Sequence, residues 1–221
     1  MAISGILFDF NGTMALDSAV NTQSWAAFIE ETWGHRLSDQ ELGSAVLGNG
    51  NRAILTFFGD SGLSEAEYTR LSERKEVLYR DLSRERQLRL IDGLAQLLDD
   101  IAAKGYPRNM ATASIRANVE FYFSHYGLDR WFDLTKVAYD DGVTQLKPHP
   151  EMYEKAAARI GVSPADCLVF EDSPSGIAAA VRAGIPHIIA INKDGHLKDA
   201  PPQVKQVIRD YTEFDRSILG K

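Results

Sequence analysis

The spacing of the apolar residues changes twice along the chain, and this change limits the possible folds more than any other feature. Gly5-Ile6-Leu7-Phe8 is a short apolar run that stops at Asp9-Phe10-Asn11-Gly12-Thr13. It predicts a strand buried on both faces, followed by a tight glycine-containing loop. From Asp17 to about Arg86 the period is helical. Trp25, Phe28, Ile29 and Trp33 share one face, and Ser64-x-x-Glu67 is a capping box that opens a helix reaching about Leu82. No strand is expected in this block.

From Ile91 onward helices and strands alternate. Leu94, Leu97, Leu98 and Ile101 predict an amphipathic helix stopped by Gly105, and Met152, Tyr153, Ala156 and Ile160 another closed by Gly161. A helix over 115–126 stops at Gly127. Strands are expected at 109–112, 136–139, 167–170 and 187–191. Ser173 and Pro174 suit the N-cap and first position of a helix that ends at Gly184. Such alternation predicts an α/β protein with a doubly wound, Rossmann-like parallel sheet. The helical block is then an insertion after the first strand. The expected core is 1–15 with 89–221, and the expected helical domain is 16–88.

The 221 residues suffice for a real hydrophobic core. The chain carries 24 Lys and Arg against 31 Asp and Glu, a net charge of −7, which argues against nucleic acid or a membrane surface as the main partner. A single cysteine, Cys167, excludes an internal disulfide framework. No run approaches the roughly 20 apolar residues of a membrane helix, and no cationic leader opens the N-terminus, so a cytoplasmic protein is expected, and a monomer. His35, His125, His149, His187 and His196 show no metal-ligand spacing, and structural roles are expected for them.

In open parallel sheets, ligands bind at the carboxyl ends of the strands. The polar residues expected there are Asp9 with Asn11, Thr112 with Ser114, Lys147, and the pair Glu171-Asp172. Converging carboxylates need a cation, and oxygen donors select a hard ion such as Mg²⁺. A lysine and a hydroxyl at the same point suit phosphoryl oxygens, which leaves Asp9 as a carboxylate nucleophile.

The order and spacing of these residues resemble the haloacid dehalogenase superfamily of phosphatases and mutases. Four stretches carry the resemblance: 9–13 (Asp-Phe-Asn-Gly-Thr), 111–114 (Ala-Thr-Ala-Ser), 147–150 (Lys-Pro-His-Pro) and 170–177, with Glu171-Asp172 inside it. The resemblance implies Asp9 as nucleophile and metal ligand. It implies Mg²⁺ on Asp9, the Asn11 carbonyl and Asp172, with Glu171 acting through water. Thr112, Ala113, Ser114 and Lys147 would hold the phosphoryl group of a small phosphorylated metabolite. The helical insert looks like this superfamily's cap. Within the superfamily the chain is most similar to β-phosphoglucomutases and sugar-phosphate phosphatases, which implies that Arg52 and Lys75 meet the substrate. Lys75 also stands between Leu71 and Leu78 on an apolar stripe, an odd place for a lysine without an anion.

Asn11 departs from the pattern, because the superfamily's second aspartate is a general acid and base and an amide is neither. Asn21 stands where the mutases have a histidine, which disfavours mutase activity. A weakened Mg²⁺-dependent phosphatase is therefore expected. The alternatives are an impaired sugar-phosphate-binding sensor and, below it, a β-phosphoglucomutase or a carbon–phosphorus hydrolase.

Overall fold

The computed structural model describes residues 3–46, 50–59, 62–193, 195, 197 and 200–220; His196 lies outside them. The chain divides into two compact units, 1–16 with 89–221, and 17–88.

The first unit is built on six parallel strands: β1 (Gly5–Phe8), β2 (Arg108–Ile115), β3 (Ala138–Asp140), β4 (Cys167–Glu171), β5 (His187–Ile191) and β6 (Val204–Ile208). Their spatial order is β3-β2-β1-β4-β5-β6. β1 therefore lies between β2 and β4, and the chain changes its direction of travel across the sheet beside it. Gly5 pairs with Cys167 and Phe8 with Phe170, so β1 and β4 end level with one another. That level end is the switch point at which open parallel sheets bind ligands.

Both faces of the central strands are covered, as their unbroken apolar runs require. On one face Leu7 and Val169 join a core with Met152, Tyr153 and Ala156, which lie on a helix spanning Glu151–Arg159. On the other, Phe8 stacks on Phe170 with centroids 4.9 Å apart. The edges of Phe132 and Phe214 close around this pair.

The second unit holds the helices α1 (Ser18–Trp33), α2 (Asp39–Glu41), α3 (Asn51–Phe58) and α4 (Glu65–Glu85), with a wide turn at Leu42–Val46. Trp25, Phe28 and Ile29 of α1 bury against Ile54 and Leu55 of α3 and Leu71 of α4. The Ser64 side chain accepts from Glu67 N, and Glu67 reaches back to Ser64 N, so the capping box that opens α4 is real. The remaining helices belong to the first unit: α5 (Leu94–Ala103), α6 (Arg116–Tyr126), α7 (Glu151–Arg159) and α8 (Pro174–Arg182). Ser173 caps α8 and Pro174 occupies its first turn.

Two elements differ from the sequence expectation. β2 runs on to Ile115 rather than ending at Thr112, because a bulge between Ala111 and Ile115 keeps it paired with β3. β6 carried no apolar run to mark it: it is an edge strand on which Lys205 and Val207 are exposed and only Ile208 is buried. Among the described residues no helix is long and apolar enough to cross a membrane.

Removing Phe170 takes the centre out of the aromatic cluster. Phe170→Ala is expected to cost about 3–5 kcal/mol of stability, read from urea unfolding. A loss below about 1 kcal/mol would mean that the cluster does not hold the sheet.

Candidate active site

Asp9 follows β1 directly, and its N–H continues the ladder by donating to Phe170 O at 3.0 Å. The loop after it turns at Gly12, whose φ is +76°. A Cβ there would fall 2.1 Å from Asp172 Oδ2, so only glycine lets this carboxylate approach the loop. Thr13 Oγ1 donates to Asp172 Oδ1 at 3.3 Å, and Tyr211 pins the loop by donating to Thr13 O at 2.9 Å.

Glu171 ends β4 and is fully buried. Its Oε2 accepts from Ser173 N at 2.7 Å, while Ser173 Oγ accepts from Gly176 N to start α8. At Gly176 a Cβ would sit 1.6 Å from Glu171 Oε1, so the first turn of this helix carries a glycine for lack of room.

Lys147 joins the two strand ends. Its Nζ donates to Asp9 Oδ1 at 2.5 Å and to Glu171 Oε1 at 2.7 Å, over the Tyr153 ring. The Tyr153 hydroxyl also donates to Glu171 Oε1 at 3.1 Å. Burial pushes the Asp9 carboxyl up to about 7; Lys147 opposes this and the Glu171 charge adds to it. Burial would raise Glu171 and lower Lys147 as well. In each the facing opposite charge outweighs it, so Glu171 stays below and Lys147 above its usual range.

Asp9, Glu171 and Asp172 offer oxygens within 4.8 Å of one another, the sole such metal-capable group among the described residues. Three carboxylates share this point with one ammonium. An all-oxygen, net-negative donor set fits a hard divalent cation.

Beside Asp9, the Asn11 amide is held from three sides. Ser114 Oγ donates to its Oδ1 at 2.8 Å and Thr112 Oγ1 at 3.4 Å, and its Nδ2 donates to the Tyr122 hydroxyl at 3.0 Å. Ala113, between Thr112 and Ser114 on β2, is exposed.

The structure thus gathers Asp9, Asn11, Thr112, Ser114, Lys147, Glu171 and Asp172 at one end of the sheet. Arg52 and Lys75 lie in the other unit. Arg52 is forked onto Glu65 at 3.0 and 2.7 Å and lies over the Tyr68 ring. Lys75 is 2% exposed, and donates to Asn21 Oδ1 at 2.6 Å and Glu76 Oε1 at 3.1 Å. The anion that its odd position called for is present within the unit, in Glu76. Sequence reasoning missed Tyr122 and Tyr153, whose hydroxyls close the site. Both lie on buried helix faces, where a tyrosine reads as core.

A doubly wound sheet with a lysine-bridged carboxylate trio at its switch point defines an α/β enzyme core with a candidate metal site. The haloacid dehalogenase-like hydrolase family matches residues 3–184. Protein CbbY of Rhodobacter capsulatus is 30% identical over 190 residues, 84% of each chain. The fructose-1-phosphate phosphatase YqaB of Escherichia coli is 28% identical over 186 residues, 82% of this chain and 93% of its own. The crystal structure of a family IA, variant 3 hydrolase from Entamoeba histolytica superposes with a TM-score of 0.86 at 28% identity, covering 98% of this chain and 97% of that one. The chain belongs to the haloacid dehalogenase-like hydrolase family.

Lys147→Met leaves two buried carboxylates facing each other without their counter-ion. It is expected to cost about 3–5 kcal/mol at pH 7 by urea unfolding. The cost should shrink toward pH 5, because Glu171, no longer held down by Lys147, takes up a proton in the variant as the pH falls. A cost independent of pH would mean that the ion pair does not set it.

Proposed function

We propose that the protein is a Mg²⁺-dependent phosphatase that acts on a small phosphorylated metabolite of the sugar-phosphate type. The observation that carries this reading is the Asp9 carboxylate, held by Lys147 at 2.5 Å within a group of three buried or half-buried carboxylates. Asp9, the Asn11 backbone carbonyl and Asp172 would hold Mg²⁺, with Glu171 supporting them through water. When bound, the ion would offset the repulsion between nucleophile and phosphate and balance charge on the phosphoryl oxygens.

In the proposed cycle an Asp9 oxygen attacks phosphorus in line. The ester P–O bond breaks, its electron pair leaves with the alkoxide, and an aspartyl-phosphate forms. Lys147 stabilises the equatorial oxygens; Thr112 is assigned to them on the resemblance and would turn its one hydroxyl proton from Asn11 Oδ1 to do so, with Ala113 and Ser114 lining the same strand end. A proton from solvent neutralises the leaving alkoxide. Water then attacks phosphorus, releasing phosphate and restoring the Asp9 carboxylate. Asn11 neither gives nor takes a proton, so both halves run without the roughly 10²–10⁴-fold aid of general acid–base catalysis. The helical unit is proposed as the cap. Arg52 and Lys75 are assigned to substrate on the resemblance alone, since each already has a counter-ion, Glu65 or Glu76.

Asp9→Asn should abolish phosphate release from an aryl phosphate with circular dichroism unchanged; retained turnover would sink the nucleophile assignment. Chelation should stop the same reaction and Mg²⁺ restore it. Tight sugar-phosphate binding with no metal-dependent turnover would instead favour a sensor. Asn11→Asp should raise turnover of alkyl phosphates by about two orders of magnitude. An unchanged rate would place the deficit elsewhere.

A further inference from the structure

We propose that Ser114 and Tyr122 are positioning residues that specify an amide, rather than an ionised carboxylate, at position 11. This rests on the proposed function only in treating residue 11 as the nucleophile's working neighbour. The three side chains form a closed ring. Asn11 Nδ2 donates to the Tyr122 hydroxyl at 3.0 Å, that hydroxyl lies 2.9 Å from Ser114 Oγ, and Ser114 Oγ donates to Asn11 Oδ1 at 2.8 Å. Ser114 commits its proton to Asn11, so the proton between Ser114 and Tyr122 is the tyrosine's. Three contacts therefore hold three protons, all donated in one sense around the ring.

Turning the amide over reverses each donation and leaves the count at three. Thr112 selects the direction: its Oγ1 accepts from Ser114 N at 3.2 Å and donates to Asn11 Oδ1 at 3.4 Å. An ionised aspartate at position 11 brings no proton. Two protons then serve three contacts, and one pair of oxygens must face each other with no hydrogen between them.

The ring has little room to relax that repulsion. Tyr122 is fully buried and stacks on Phe10, with centroids 3.7 Å apart and planes 11° from parallel. Ser114 is held in β2, and the position 11 loop is turned by Gly12. Asn11 is thus one member of a matched set, and the loss of the acid is only half of what the substitution means.

The first test follows the Asn11 side-chain amide by ¹⁵N NMR in the full chain. Tyr122→Phe removes the acceptor but keeps the stacked ring. Its amide protons should exchange about tenfold faster, the factor that goes with losing one hydrogen bond of ordinary strength. Ser114→Ala removes a hydroxyl that does not touch Nδ2, and closure of the ring predicts that it shifts the same amide signals and speeds their exchange. Signals unchanged in Ser114→Ala would overturn the ring.

The second test is a urea cycle at pH 8. Asn11→Asp should lower the midpoint, and adding Tyr122→Phe should cost less than the sum of the two single losses. Strict additivity would overturn the specification of an amide. Should a tyrosine variant not fold, Ser114→Ala paired with Asn11→Asp runs the same cycle. Neither test reads turnover, so failure of the ring and failure of the phosphatase reading are distinguishable.

Discussion

The Lys147 ammonium stands between the Asp9 and Glu171 carboxylates, and the shape of the site depends on that contact. β1 and β4 end level, which puts Asp9, the residue after β1, and Glu171, the last of β4, at close quarters in a buried place. Without a cation between them, burial and mutual repulsion would drive one of them neutral. Lys147 comes from the loop beyond β3 and keeps Glu171 ionised, while Asp9 stays close to the balance point between charged and neutral. A buried ion pair of this kind gives a fold little net stability against well-packed apolar residues. It stands where open parallel sheets bind ligands, a place where such charge pairs serve chemistry more often than folding.

Two glycines show how closely the backbone is fitted around these charges. Gly12 and Gly176 have different backbone needs but the same local reason: a methyl group at either would enter an acidic side chain. The loop after β1 and the start of α8 are thus shaped by Asp172 and Glu171 as much as by their own hydrogen bonds. The carboxylate group and the switch in strand order meet at this end of the sheet.

Much of this was legible in the sequence, and the gaps have physical causes. Strands buried on both faces announce themselves as apolar runs, so β1, β4 and β5 could be read directly. Caps have local chemistry, so Ser64, Ser173 and Pro174 marked their helices. β6 could not be read because an edge strand with Lys205 and Val207 in water carries no run, and the length of β2 depends on pairing with a distant segment. At the site, the charged residues were legible because acids at strand ends are unusual. Tyr122 and Tyr153 were not, since one hydroxyl on an otherwise apolar helix face leaves no pattern. The oddity of Lys75 was legible too, but its partners, Asn21 on another helix and Glu76 beside it in the chain, needed the fold.

The chain leaves the sheet-bearing unit after Leu16 and returns to it at Arg89, and just inside those points Ala15 and Leu90 pair in an antiparallel bridge, reinforced by Ile91 N donating to Met14 O at 2.9 Å. Topologically, the whole helical segment is therefore a loop whose ends are already fastened together. The entropy of closing it is met once, by the sheet unit itself, and grows only slowly with the length enclosed. Insertions, deletions or wholesale exchange of the enclosed helices can then proceed with little penalty to the core. A fold joined in this way can keep one reaction centre while the segment strung between its two stitched crossings is rewritten.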